Sequence, residues 1–162
     1  MNQVPIHLFI VMLLFISCKQ KSSANSLEKP SELGVLRQIC RETVAGKKIR
    51  DTDLEKLSVS FGQRFKKAWE AVENKRVKKY VFKPSDRVVW IVVGRGGDYL
   101  ILPAADFCSC NDFYFRVMDR QIHMCYHLIA QKLAEALESY VLYEEEDAMY
   151  DVLMKEWKKA IV

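Results

Sequence analysis

Cys108-Ser-Cys110 and Cys125-Tyr-His127 decide the reading of this chain. Each pair of soft ligands sits on one short piece of backbone. The stretch between them, Asn111 to Met124, is long enough to loop round and bring the pairs together. Three thiolates and an imidazole are the donor set of a tetrahedral zinc site. Four protein ligands fill the tetrahedron and leave no position for a reactive water. Cys108, Cys110, Cys125 and His127 are therefore read as the ligands of one structural Zn2+, and the chain as a non-enzyme. The alternative is a set of buried cysteines beside a chance histidine, because free cysteine packs as a small hydrophobe. His123 lies two residues before Cys125 and is read as a surface residue or a neighbour of the ligands, since Cys125 and His127 already complete the set.

The chain on either side supplies the frame for these ligands. Val77 to Lys83 reads as a strand, and Val88 to Val93 as a second, nearly all apolar one. Gly94-Arg-Gly-Gly-Asp98 reads as a hairpin turn, with a third strand from Tyr99 to Pro103 leading to the first cysteine pair. The glycines do not make a phosphate loop, because a strand follows them rather than a helix. His127 opens a helix carrying Leu128, Ile129, Leu133, Ala136 and Leu137.

Upstream, Pro30 marks a helix start, Leu33, Leu36, Ile39 and Cys40 recur at helical spacing, and Gly46 with Lys47 and Lys48 reads as the stop. Thr52-Asp-Leu-Glu55 has the capping-box pattern. It predicts one long amphipathic helix with the stripe Leu54, Leu57, Phe61, Phe65, Ala68, Trp69 and Val72, weakened slightly by Gly62. A last helix is expected after the acidic cluster Glu144 to Asp147, with Met149, Val152, Leu153, Trp157 and Ile161 on one face. That face needs a partner, either the core or another subunit.

The predicted fold class is α+β: a small three-stranded antiparallel sheet with a Cys3His zinc site and flanking helices. Four regions follow. Residues 1–25 are an apolar segment and linker, 26–76 a helical region, 77–140 the zinc domain, and 141–162 a C-terminal amphipathic helix.

The 162 residues carry a net charge of +4, which is too mild to name a partner. Its distribution says more. Arg64, Lys66, Lys67, Lys75, Arg76, Lys78 and Lys79 crowd one stretch and are the candidate nucleic-acid contacts. Their other reading is a solvated helix face. The same chemistry fits DNA, RNA or an acidic protein surface.

Five cysteines, an odd number in a zinc-type arrangement, favour a reducing compartment, cytoplasm or nucleus, over a disulfide framework. The N-terminus pulls the other way. Ile6 to Ile16 is an apolar run followed by Ser17-Cys18-Lys19, as in a lipoprotein signal, yet no Lys or Arg precedes it. The run is too short to span a bilayer as a helix. Residues 1–25 are an export signal, an anchor or an extension, and only the first two would bring a membrane into play.

The spacing Cys-x-Cys followed by Cys-x-His resembles the SWIM zinc-binding domain. Phe61-Gly62, the strand Val89-Trp-Ile-Val-Val-Gly94 and Cys125-x-His127-Leu128 leading into an Ala/Leu-rich helix extend the likeness. The order of elements from about Phe61 to Leu137 is similar to that of the small SWIM subunit of Shu-type homologous-recombination complexes. The resemblance implies a non-catalytic adaptor that binds nucleic acid, a protein partner, or both. Its implied partner is a RecA-family recombinase paralogue, its implied ligand single-stranded DNA, and it has no small-molecule substrate. Partner contact is expected on the helix after His127 or on the aromatic loop Phe113-Tyr114-Phe115, whose other reading is packing around the metal. An enzyme would need an acid or base beside an open metal position, and Asp106, Asp112 and His123 form no such pattern.

Overall fold

The computed structural model describes residues 31–43 and 48–159. The N-terminal apolar segment with Cys18, the helix start at Pro30, the stop at Gly46 and Lys47, and Ile161 lie outside the described residues. Among the described residues, no helix is long and apolar enough to cross a membrane.

Helix α1 spans Glu32–Glu42. Ser31 caps it by accepting from the Gly34 amide at 3.1 Å, and the Thr43 hydroxyl closes it on the Ile39 carbonyl at 2.8 Å. The long helix expected next is two: α2, Asp51–Phe61, and α3, Gln63–Glu73. Between them Gly62 adopts φ 55°, ψ −126°, which breaks the ladder and which a side chain would resist. The apolar stripe survives the break, with Leu57, Phe61, Phe65, Ala68 and Val72 all buried. The capping box does not form. The cap lies two residues earlier, at Arg50, and Asp53 instead accepts from Arg50 Nε at 2.6 Å and Lys56 Nζ at 3.0 Å.

The three expected strands are present as β1 (Val77–Lys83), β2 (Arg87–Gly94) and β3 (Gly97–Leu102). They pair antiparallel, with Val77 opposite Val92 and Trp90 opposite Ile101, and Gly94 opposite Gly97 leaves a two-residue turn, Arg95-Gly96. The sheet is larger than three antiparallel strands, however. A two-residue strand β4 (Phe107–Cys108) pairs with β3, and β5 (Val141–Glu146) runs parallel to β1 on the far edge. The result is a five-stranded mixed sheet in the order β4-β3-β2-β1-β5.

The region from 141 to 162 thus opens with a strand rather than a helix. Consecutive glutamates obscure the strand in the sequence, but an edge position leaves their side chains in solvent and places Glu146 opposite Lys83. Helix α4 (Tyr126–Ala136) follows the second ligand pair, and α5 (Tyr150–Lys159) ends the described chain.

The sheet is buried on both faces, which explains the unbroken apolar run of β2. Trp90 and Val92 face the core built by α1 to α4. Val89 and Ile91 face a second cluster with Phe82, Leu100, Met154 and Trp157, so the apolar stripe of α5 finds its partner on the sheet.

Candidate metal centre

The cysteine pairs are held from two directions. Cys108 ends β4, and Ser109 fastens the turn after it to β3: its amide donates to the Leu100 carbonyl at 3.0 Å and its Oγ accepts from the Leu100 amide at 2.9 Å. Cys110 precedes a short π-helical turn, Phe113–Val117, and its Sγ accepts from the Phe113 amide at 3.3 Å. Cys125 takes the cap position of α4, and His127 lies in the first turn.

These elements bring one donor atom from each of the four residues within 4.8 Å of one another. Tetrahedral zinc with Zn–S bonds of about 2.3 Å needs sulfurs about 3.8 Å apart, so the cluster closes on an ion with little movement. Cys108, Cys110, Cys125 and His127 are all buried.

Two further observations fit a metal. Both nitrogens of the His127 ring are buried without a hydrogen-bond partner, a costly state that coordination would relieve at one of them. The thiols also compete for protons. Cys110 is held well below the ordinary thiol range by hydrogen bonds from Cys108 and Cys125, against the effect of burial. Cys108 is pushed far up, first by its bond to Cys110, then by Cys125 and burial. Cys125 gains from its bond with Cys108, yet its bond to Cys110 and its burial push it up to about 12. Without a cation, three thiolates do not coexist here; a divalent ion stabilises all three. The buried Cys3His cluster is consistent with one structural zinc ion.

Around the cluster, Tyr99 and Tyr126 bracket the imidazole, with ring centroids 4.2 and 3.7 Å from it. Gly94, at the end of β2, lies against all three rings. His123 is exposed and outside the cluster. Cys40 stands apart as well. Its thiol reaches the Lys132 carbonyl at 3.7 Å, and burial raises it to about 11 despite nearby Lys132.

The seven basic candidates do not share one face. Arg64 is a strut, donating to the Met124 carbonyl at 2.9 Å and to Glu32 at 2.8 Å. Lys66 and Lys67 are exposed on α3. Lys75 donates to Ser139, Arg76 pairs with Glu70 at 2.8 Å, and Lys78 pairs with Asp98 at 3.5 Å. Lys79 lies over the Trp90 and Tyr140 rings. Successive residues of β1 point to opposite faces, which separates Lys78 from Lys79.

The aromatic loop divides too. Phe113 packs edge-on against Phe107, whereas Phe115 is 68 % exposed. Sequence reasoning missed Gly94, Tyr99 and Tyr126 as neighbours of the ligands. It also read Arg95 only as a turn residue, although the hairpin brings it to the metal's side of the sheet.

No protein-family model matches the chain. It is similar to the zinc finger SWIM domain-containing protein 7 homolog of Dictyostelium discoideum, 34% identical over 104 residues, which cover 63% of this chain and 67% of the relative. The zinc finger SWIM domain-containing protein 7 of Mus musculus is 30% identical over 115 residues, covering 69% of this chain and 75% of its own. With the Cys-x-Cys and Cys-x-His pairs converging in one buried cluster, this likeness settles the relationship: the chain belongs to the family of zinc finger SWIM domain-containing protein 7.

Proposed function

We propose that the protein is a non-catalytic zinc module, an adaptor that binds nucleic acid and a protein partner in recombinational DNA repair, beside a RecA-family ATPase paralogue. Cys108, Cys110, Cys125 and His127 hold its zinc. The observation that carries the non-catalytic part is the burial of all four donors, the most exposed at 3 %. With four buried protein donors filling the tetrahedron, the metal would be a fold determinant, because no coordination position is left for a substrate even where Cys110 and His127 border a cavity. The repair context and the ATPase rest on the resemblance to Shu-type SWIM subunits. A reducing compartment suits a thiolate cluster of this kind.

A second reading, a protein-interaction module without nucleic acid, has one observation in its favour. A cleft of about 780 Å³ with an almost wholly apolar lining opens between Leu100, Leu102, Phe107, Tyr114 and Met118. Phe115 and Met118 are exposed beside it. Such a surface suits a protein better than a phosphate backbone.

A native pull-down with zinc analysis, comparing wild type with Cys125→Ser, tests the proposal. One zinc per chain and a RecA-like ATPase in the wild-type eluate, both lost in the variant, support it. Zinc with unrelated partners removes the repair assignment and leaves the module. A zinc-free wild type overturns the centre of the reading.

A further inference from the structure

Charge gathers on one side of the metal cluster in a way that the run of basic residues in the sequence does not show. Lys67 of α3, Arg76 just beyond it and Arg95 in the β2–β3 turn line one cavity of about 250 Å³, together with Tyr99, Tyr126 and His127. A second cavity of about 360 Å³ shares Lys67, Asp112 and Tyr126 with the first and adds Arg64 and Arg116. The two form a continuous groove past the ligands, with five cations along it.

Two acids also face this groove, and each already has a partner. Glu70 is held by Arg76 at 2.8 Å and Asp112 by Arg116 at 3.1 Å. Lys67 and Arg95 are exposed and make no ion pair among the described residues. Arg76 spends one terminal nitrogen on Glu70, and its Nε is buried without a hydrogen-bond partner. Two exposed cations without an acidic partner, beside a third whose side chain is still partly exposed after pairing with Glu70, leave the groove with an excess of positive charge that suits an anionic ligand.

We infer that this groove grips the phosphate backbone of a single-stranded nucleic acid, with Lys67, Arg76 and Arg95 as phosphate contacts. The inference rests on the nucleic-acid part of the proposed function and locates it. The single strand is the ligand that the resemblance implies, and a positively charged groove beside aromatic side chains is the kind of surface that tracks such a backbone. The Tyr99 and Tyr126 side chains in the lining supply further polar contacts. Of the seven cations read from the sequence, this assigns direct contact to Lys67 and Arg76, adds Arg95, and leaves Lys78 and Lys79 to other roles.

The test measures binding of a fluorescent oligothymidylate to the purified zinc-loaded protein at several salt concentrations, with zinc content determined for every variant. Lys67→Glu and Arg95→Glu should each weaken binding about tenfold and flatten the salt dependence by about 0.7 per lost phosphate contact. Lys155→Glu, a reversal at an exposed site on α5, should change little. Normal binding by both groove variants, or an equal loss in Lys155→Glu, overturns the groove while nucleic-acid binding stands. Loss of zinc in Arg95→Glu also overturns it, because the cations would then serve the cluster. A wild type that fails to bind at low salt removes the nucleic-acid part of the proposed function together with the groove.

Discussion

Gly94 packs directly against His127 at the edge of the metal centre: a Cβ added to Gly94 would stand 3.0 Å from the His127 Nε2. It would also meet the Tyr99 ring at 2.6 Å and the Tyr126 hydroxyl at 2.9 Å. The end of β2 therefore closes one side of the imidazole's pocket, and only a hydrogen fits there. Gly94→Ala should destabilise the protein by about 1–3 kcal/mol, the usual cost of overpacking. It should also weaken zinc binding, because the ring must tilt. Thermal unfolding and zinc competition on the variant check this, and unchanged values for both would show that the tyrosines yield freely.

Removing the metal should cost the fold more than any surface change. A ligand at a thousandfold excess over its dissociation constant stabilises by about 4 kcal/mol. At about 2–4 °C per kcal/mol for a chain of this size, chelation should lower the melting temperature by about 8–16 °C. Acid should act in the same direction. The ion must displace protons from Cys108 and Cys125, both pushed above the ordinary thiol range, so zinc affinity should rise with pH and fall as pH drops. Each displaced proton contributes about tenfold per pH unit. Competition with a chromophoric chelator at two pH values measures the slope, and a flat profile would mean that the thiols do not ligate.

The parts of this molecule that the sequence disclosed are those whose signal is local. The Cys108 and Cys110 pair, the Cys125 and His127 pair and the glycine turn after Val93 carry their chemistry within a few residues. The apolar run reads as a strand because Val89 to Val92, at its centre, are buried on both faces. The parts that stayed hidden depend on partners far along the chain. Val141–Glu146 becomes a strand through β1, about sixty residues earlier, and its glutamates look like a helix start until that edge is known. The helix break at Gly62 is a backbone choice that one glycine permits but does not announce. The groove cations come from α3, the residue before β1, a hairpin turn and the π-helical turn, so their proximity is tertiary.

Asp53 links the start of α2 to two cations, and its pH response has a definite sign. Hydrogen bonds from Arg50 and Lys56 hold its carboxyl below the usual carboxylate range. A group depressed on folding stabilises the protein above its unfolded pKa, about 3.9, and the contribution is lost as pH falls through the lower folded value. Asp53→Asn should therefore melt below wild type at pH 7, and the gap should narrow in acid. Loss of zinc in acid affects both proteins and cancels in the difference. A gap that stays constant with pH would assign the effect to packing alone.

Trp157 tests whether the two faces of the sheet are independent. Its ring packs on Tyr80 at 4.8 Å and anchors α5, together with Met154, against Phe82, Ile91 and Leu100. The metal ligands lie in the other cluster, across the sheet. Truncation to alanine removes a buried aromatic and should cost about 3–5 kcal/mol. Zinc stoichiometry should stay at that of wild type, because Ser109 and the first turn of α4, not α5, fix the ligands. Calorimetry with metal analysis on Trp157→Ala separates the two quantities. If zinc is lost along with α5, the sheet transmits the damage from one face to the other, and the chain folds as one unit whose metal depends on both layers.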